Sequence, residues 1–143
     1  MGVSSKEPEN RFSEKISLRP YSRGMGALGL PGDLSSRSRF VRAAFMKLNS
    51  VSGTSEAESV SQMFHILGTV SQPRGCCDLG DGNYEMTIYA SCCHGETGTY
   101  YYKTYDSHRI SAVEMRNEDL DGTQLIRYPL LGRGQILVQN EKQ

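Results

Sequence analysis

The sequence contains no tryptophan, no net charge and no long apolar run, and each absence narrows the kinds of protein it can encode. Among 143 residues, 16 Lys and Arg balance 16 Asp and Glu. Because no excess of positive charge attracts phosphates or anionic lipid headgroups, we expect neither nucleic acid nor a membrane as a partner. Without a long apolar run, the sequence also predicts no membrane span and no signal peptide, which indicates a cytoplasmic protein.

What the sequence does have is enough length for one domain and a composition typical of a chain with many turns. A chain of this length can bury roughly two-thirds of the surface that its unfolded form exposes. Hydrophobic residues make up a modest 37%, and the aromatic residues are mostly 8 tyrosines, beside 15 glycines. We therefore expect one folded domain rather than a disordered chain.

The first segment, residues 1–34, is predicted to be a long loop. It contains Pro8, Pro20 and Pro31 with a series of glycines, and neither helical nor strand periodicity is sustained. A compact domain seldom begins with so long an irregular segment. We therefore expect an interaction arm, or a segment whose packing partner lies elsewhere.

Two regions within residues 35–71 have the apolar periodicity of amphipathic helices. The first helix is predicted over residues 36–49, with Ser35 at its N-cap. The second opens at Ser55, where Glu58 can complete a capping box. The apolar positions that define the two patterns are Phe40, Val41, Ala44, Phe45 and Leu48 in the first helix and Val60, Met63, Phe64, Leu67 and Val70 in the second.

After residue 75 the apolar pattern changes to the alternation of antiparallel strands, which are predicted within residues 84–131. Two helices followed by such a meander make an α+β fold, in which the helices cover one face of the sheet. The strands are predicted over residues 84–91, 99–105, 110–115 and 125–130. The other face is too apolar to be left in water, and we expect it to need a partner; it would carry Tyr84, Tyr89, Tyr100 and Tyr102.

Residues 24–29 (GMGALG) match the G-x-G-x-x-G pattern of dinucleotide-binding loops. That pattern needs an apolar strand before it and a helix after it, so that backbone N–H groups meet a pyrophosphate. Here residues 18–23 (LRPYSR) precede it and Pro31 follows it. We therefore interpret the pattern as a glycine-rich turn and predict no cofactor.

Four cysteines and a histidine occur as Cys76-Cys77 and Cys92-Cys93-His94, which suggests a zinc hypothesis. Adjacent residues of a strand point to opposite faces, so both members of a pair cannot easily reach one tetrahedral ion. Nothing marks the chain for export, which argues against disulfides. We interpret the cysteines as small buried thiols and predict no metal.

Three arginines, Arg37, Arg39 and Arg42, crowd the start of the first predicted helix. The helix dipole is positive there, so cations are mildly unfavourable. At least one of the three is therefore expected to meet a carboxylate or to serve a site. From spacing alone, a plain surface role for all three remains open.

Six segments of the chain carry a family resemblance. They read YSRGMG (residues 21–26), LPGDLSS (30–36), SRFVR (38–42), FHIL (64–67), YEMTIYASCC (84–93) and YYYKTYD (100–106). Together they resemble the choloylglycine hydrolase family, in particular its bile salt hydrolases. The resemblance covers nearly the whole chain and weakens only near residues 80–82 and after about residue 131.

The resemblance implies a particular fold and reaction. The fold is the αββα sandwich of N-terminal-nucleophile hydrolases, similar to penicillin V acylases, and here only part of it. The reaction is hydrolysis of the amide bond that joins a bile acid to glycine or taurine. Only the C-terminal portion of the family, somewhat under half, is similar to this chain.

The resemblance also bears on the catalytic residues. Family members use an exposed N-terminal cysteine, whose thiol attacks the amide while its own α-amino group acts as the base. In this sequence Gly2 follows Met1. Arg39, in the SRF motif, matches a family active-site position and would support the nucleophile by polar contacts. Arg42 is expected to be solvent-facing and to matter less.

These observations support a first interpretation and leave two others open. The first is a fragment of a bile salt hydrolase, inactive by itself because the nucleophile is absent. The alternative is a non-enzymatic assembly half that complements a separately encoded N-terminal half. A third is a free-standing enzyme that uses Cys92 or Cys93 with a histidine. The resemblance further implies a homotetramer, in which residues 1–34 reach a neighbouring subunit, with conjugated bile salts as substrates.

Overall fold

The structure, a computed structural model, describes residues 27–131, 134 and 136–140 of the chain. Most of the predicted opening loop, and the glycine pattern up to residue 26, lie outside these described residues. The chain divides into two compact units, Met1–Ser50 and Val51–Gln143. In the described ranges, no helix is long and apolar enough to cross a membrane.

Within residues 27–50, the first unit contains one α-helix, α1, over Ser36–Asn49. Ser35 caps its start by accepting the Ser38 N–H at 3.4 Å. The helix ends at Asn49, and the backbone becomes extended at the C-cap residue Ser50. These bounds confirm the helix predicted over residues 36–49.

The apolar stripe of α1 is mostly exposed. Phe40 is 74% exposed and Leu48 is 84% exposed, and Val41 is exposed as well. The described part of this unit consists of the helix and the short segment before it, so it supplies no second layer to cover the stripe. Ala44 and Phe45 of the same stripe are half-buried.

The second unit begins with a second helix, α2, over Glu56–Gly68. Ser55 and Glu58 form the predicted capping box, because the Ser55 hydroxyl accepts the Glu58 N–H at 3.2 Å and the Glu58 carboxylate accepts the Ser55 N–H at 3.1 Å. α2 packs against the strands that follow it. The buried hydrophobic side chains of the described chain all belong to this helix, and they are Val60, Phe64 and Ile66.

Five strands follow in the described part of the second unit, arranged as two antiparallel sheets. Helices followed by antiparallel strands confirm the predicted α+β class. The smaller sheet is a hairpin of β1 (Cys77–Gly80) and β2 (Asn83–Glu85). The larger sheet is a meander of β3 (Tyr89–His94), β4 (Thr99–Thr104) and β5 (Ser111–Glu114), followed by a 3-10 helix over Met115–Asn117.

The strand predicted over residues 84–91 is broken into parts of the two sheets. Thr87, which lies between the parts, bonds to Gln72 instead of to a strand. Its N–H donates to the Gln72 carbonyl at 3.0 Å, and its hydroxyl accepts the Gln72 N–H at 2.9 Å. Gln72 is only 2% exposed, so these bonds satisfy buried polar groups and hold Thr87 out of the ladder. Cys77–Gly80 is a strand that the sequence did not indicate, because CDLG shows no alternation.

Residues 125–130 do not form a strand, contrary to the sequence prediction. The segment is exposed, and it pairs with no strand of the described chain. A strand needs a neighbour for its backbone hydrogen bonds, and an alternating pattern does not supply one. The segment is tied instead by the Tyr128 hydroxyl, which donates to Glu118.

The meander has a helix side and an open side. On the helix side, the Tyr101 hydroxyl donates to Glu56 at 2.7 Å. The Lys103 ammonium lies 5.5 Å from the Phe64 ring centroid on the same side. Because side chains alternate along a strand, one helix that covers this side leaves the other side of the sheet to be covered by something else.

The open side forms an apolar groove of about 870 Å³. Tyr89, Tyr100 and Tyr102 line it, as the sequence predicts. Tyr84 lies on β2 in the smaller sheet, so its predicted place on this face is wrong. The other apolar walls include Met86, Val113, Met115, Tyr128, Leu130 and Leu131.

We expect the chain by itself to form ill-defined oligomers that bind hydrophobic dyes. The groove and the stripe of α1 leave large apolar areas in water, and edge strands favour self-association. Size-exclusion chromatography with light scattering, together with dye fluorescence, checks this expectation. A monodisperse monomer with a sharp, cooperative thermal transition would contradict it.

Candidate functional site

Arg39, the site residue expected from the sequence, lies in the first turn of α1 and is half-buried. Its N–H donates to the Ser35 carbonyl at 2.9 Å, so its backbone belongs to the first hydrogen-bonded turn. Arg37 is exposed beside it, and Arg42 follows in the next turn. The three arginines thus gather at the helix start, while a catalytic role for Arg39 stays a prediction.

An aspartate holds the segment before α1. Asp33 Oδ1 accepts the Ser35 N–H at 2.9 Å, and Oδ2 accepts the hydroxyl of the buried Ser38 at 2.5 Å. Hydrogen bonds from Ser35 and then from Ser38 lower the pKa of Asp33 to about 2. The carboxylate is therefore ionised at neutral pH, and a negative charge at a helix start is favourable.

Arg42 binds the same segment and is not solvent-facing. Its Nη1 donates to the Asp33 carbonyl at 2.6 Å and to the Pro31 carbonyl at 3.1 Å. The expectation of a solvated Arg42 is therefore wrong, because residues 31–33 turn back within reach of the second helical turn. Spacing along a helix does not reveal the path of the segment that precedes it.

This arrangement of arginines can bind an anion or a polarised carbonyl group. A guanidinium is always charged, and its forked donors match carboxylates and oxyanions. Asp33 and Arg42 form the local network, and Arg39 lies one helical turn before Arg42. The helix start thus combines a fixed backbone with a half-buried cation.

A second polar cluster joins α2 to the β3–β4 hairpin. Glu56 Oε1 accepts the Tyr101 hydroxyl at 2.7 Å and the Thr97 hydroxyl at 2.9 Å, and it lies 3.3 Å from His94 Nδ1. The hydrogen bond from Tyr101 is the main cause that lowers the pKa of Glu56. The same bond raises the pKa of Tyr101, since it favours the protonated hydroxyl.

The residue types of this cluster resemble a catalytic triad, but the geometry does not form one. Thr97 Oγ1 lies 2.9 Å from His94 Nδ1, and Glu56 approaches the same ring nitrogen. In a triad the carboxylate holds one nitrogen of the imidazole while the other nitrogen takes the proton of the nucleophile. Because one nitrogen faces both groups, the cluster fastens α2 to the hairpin and does not activate Thr97.

The cysteines are not buried thiols, contrary to the sequence interpretation. Cys76 and Cys93 are exposed, Cys77 and Cys92 are half-buried, and all four are free. Cys93 pairs with Tyr100 on the open side of the sheet, where no layer covers it in the described chain. Burial raises the pKa of the Cys92 thiol, the opposite of what a nucleophilic cysteine requires. No three His, Cys, Asp or Glu side chains of the described residues gather as metal ligands.

Sequence reasoning did not single out Asp33, Glu56 or Tyr101 as parts of a network. For Asp33 a local signal exists, since an aspartate two residues before a serine is typical of a side-chain-capped turn. Glu56 and Tyr101 are separated by 45 residues in the sequence, and no local pattern predicts their contact.

Comparison with protein families and known proteins agrees with this arrangement of elements. The family model described as linear amide C-N hydrolases, choloylglycine hydrolase family, matches residues 1–128. The bile salt hydrolase/transferase of Lactiplantibacillus plantarum is 58% identical over 138 residues, which cover 96% of this chain and 43% of that protein. The chain therefore spans about two-fifths of the length of this relative.

Solved structures show the same fold relationship. A crystal structure of a mutant conjugated bile acid hydrolase from Clostridium perfringens superposes with a TM-score of 0.75 at 33% identity, over 96% of this chain and 41% of that chain. The penicillin V acylase of Agrobacterium tumefaciens gives a TM-score of 0.54 at 22% identity, over 64% and 29% of the two chains, which shows fold likeness alone. The helices and antiparallel sheets are thus a partial fold of the N-terminal-nucleophile hydrolase type, as the sequence predicts.

We expect the segment before α1 to lose its hydrogen bonds only in strong acid. The pKa of Asp33 lies below its ordinary value of 3.8, so its stabilising contribution is complete above that pH and is lost as the pH falls through about 2. Hydrogen exchange of the peptide at the start of α1, measured by mass spectrometry at each pH, checks this.

The matched control is Asp33→Asn, compared with the unchanged chain at the same pH. The unchanged chain should show greater protection near neutral pH, and the difference should vanish towards about pH 2, where its carboxyl is protonated. A difference that is already lost at about pH 5 would contradict the lowered pKa.

Proposed function

Because this chain belongs to the choloylglycine hydrolase family of linear amide C-N hydrolases, we propose that it supplies the carboxyl-terminal part of an enzyme that hydrolyses bile acids conjugated to glycine or taurine. The observation that carries the proposal is the 58% identity to a bile salt hydrolase/transferase over nearly the whole chain. The fold similarity to a conjugated bile acid hydrolase over 96% of the chain supports it further.

In this proposal the nucleophile comes from the part of the fold that the chain does not span. Amide hydrolysis by covalent catalysis needs an activated nucleophile, a base and donors for the oxyanion. The family resemblance assigns the first two to an exposed N-terminal cysteine. Cys92 is a poor substitute, since its raised pKa disfavours the thiolate. Cys93 lies on the opposite side of the strand from His94, which disfavours a pair of these neighbours.

Arg39 is the residue of this chain that we propose supports the reaction. Its backbone is fixed in the first turn of α1 by the bond to Ser35, and its side chain is half-buried. A permanently charged guanidinium in such a place orders polar groups around a nucleophile without a change of protonation. A cation placed before the substrate arrives also needs no reorganisation during the reaction.

The open side of the meander supports a fold completed by further chain. Its groove of about 870 Å³ is lined almost wholly by apolar side chains. Residues 125–130 have an alternating apolar pattern and no strand neighbour in the described chain. Both features suit a sandwich in which a second sheet would cover the groove and a further strand would pair with residues 125–130.

The proposed partners are the remaining part of the fold and further copies of the enzyme. If the amino-terminal part is a separate polypeptide, this chain acts as an assembly half with no activity of its own. A homotetramer in which residues 1–34 reach a neighbouring subunit stays a prediction from the family resemblance. A cytoplasmic location also stays a prediction.

We expect the purified chain to release no glycine from glycocholate and no taurine from taurocholate above the uncatalysed background. The reason is that the proposal places the nucleophile in the part of the fold that the chain does not span, and the pKa of the Cys92 thiol is raised by burial. Amino-acid release measured by chromatography checks this result. Thiol-dependent turnover by this chain alone, abolished by Cys92→Ala or Cys93→Ala, would overturn the proposal that the nucleophile comes from elsewhere.

We further expect bile-salt amidase activity when the chain is co-expressed with an N-terminal half that carries the exposed cysteine of the family. Arg39→Ala should then lower kcat/KM by about a hundredfold or more, since a charge that orders an active site is lost. Steady-state kinetics on glycocholate and taurocholate measure the effect.

Arg37→Ala is the matched control, because Arg37 is an exposed arginine in the same turn. It should change kcat/KM by less than about twofold, as is usual for surface substitutions. An active complex that is indifferent to Arg39→Ala would show that Arg39 has no part in the reaction. A complex that assembles but never hydrolyses bile salts would overturn the proposed function itself.

A further inference from the structure

The segment before α1 is held more firmly than helix capping requires. Capping satisfies the free N–H groups of the first turn, and Asp33 and Ser35 already do so by accepting the N–H groups of Ser35 and Ser38. The two bonds of Arg42 go instead to the carbonyls of Pro31 and Asp33, which precede the helix and take no part in its ladder. These bonds therefore fix the path of the chain into the helix.

The two sets of bonds meet at Asp33. Its carboxylate faces the helix through Ser35 and Ser38, and its carbonyl is held by Arg42. Ser38, the immediate neighbour of Arg39, is buried and has its hydroxyl on the Asp33 carboxylate. The network thus ties residues 31–33 to Ser38, which precedes Arg39 in the chain, and to Arg42, which follows one turn later.

We infer that Asp33 and Arg42 are positioning residues for Arg39, an inference that rests on the proposed function. A long side chain such as arginine multiplies any rotation of its backbone at the guanidinium. In an amide hydrolase, a displacement of about 1 Å at a reacting group can cost about a hundredfold in rate. The network removes this freedom by fixing the residues on both sides of the Arg39 backbone.

Arg42 is suited to this task by its length and its permanent charge. One nitrogen of the guanidinium, Nη1, donates both hydrogen bonds, so a single charged donor binds two carbonyls. Bonds from a charged donor are stronger than those between neutral groups. A lysine carries one charged nitrogen at nearly the same reach, so Arg42→Lys should preserve part of the function, whereas Arg42→Ala should not.

The first test is a double-mutant cycle in the complex with the N-terminal half, on kcat/KM for glycocholate. Arg42→Ala should lower kcat/KM by about ten- to a hundredfold when Arg39 is present. In the Arg39→Ala background the same change should lower it by less than about twofold, because its effect acts through Arg39. Arg42→Lys should recover part of the loss, and the exposed Arg37→Ala should change little.

A purely structural role gives a different result in this cycle. The losses from Arg39→Ala and Arg42→Ala would then multiply, as they do for independent sites. Size-exclusion chromatography of each variant complex shows whether equal amounts assemble, so that a failure to fold is not counted as a loss of rate. Multiplying losses, or no loss with Arg42→Ala, would overturn the inference.

The second test needs no enzyme activity and uses the 143-residue chain. Arg42→Ala and Asp33→Ala should each speed hydrogen exchange at the Arg39 amide by about tenfold or more, since local opening of the turn becomes easier. Amides of α2 serve as the internal reference for an intact fold, and Arg37→Ala is again the control.

The two tests separate this inference from the proposed function. An inactive complex with the unchanged chain, combined with faster exchange in the variants, would overturn the proposed function and with it the role of the network in the reaction. Unchanged exchange at Arg39 in both variants would overturn the inference even if the complex is active.

Discussion

Most of this structure depends on one constraint, which is that a helix covers only one side of the three-stranded sheet. α2 lies against the sheet with Val60 and Phe64 buried, and Glu56 fastens its first turn to the hairpin through Tyr101. Side chains alternate along a strand, so a sheet buried on one side presents its remaining side chains on the other. The described chain covers the first side only, and the second side is the apolar groove. A sheet with a core on its helix side and an apolar groove on its open side is half of a layered fold.

The start of α1 is organised by polar contacts instead of an apolar core. Its stripe is exposed at Phe40 and Leu48, yet the chain that enters the helix is held by Asp33 and Arg42. The Arg42 guanidinium and the Asp33 carboxylate are charged, and hydrogen bonds of charged groups are stronger than those between neutral groups. The role that we propose for Arg39 needs this kind of support, because electrostatic stabilisation depends on groups that are in place before the reaction.

Helices and their ends were predictable from the sequence because their signals are local. Ser35 and Ser55 stand at the starts of α1 and α2, and Glu58 completes a box within one turn. The α+β class followed from the change of periodicity after residue 75, and the family followed from motifs such as residues 30–36. The groove tyrosines Tyr100 and Tyr102 were also predictable, because side chains two residues apart on one strand point to the same side of the sheet.

The sequence by itself thus determined the two helices, the α+β class and the family, all of which depend on neighbours along the chain. Only the tertiary structure decided which extended segments become strands, because a strand exists only where another chain segment accepts its hydrogen bonds. Thr87 turns to Gln72 and leaves the ladder, while residues 125–130 keep a strand pattern without a partner. It likewise decided the role of Arg42, since the reach of a side chain to Pro31 depends on the path of the backbone through space, and a pattern of residue types does not record that path.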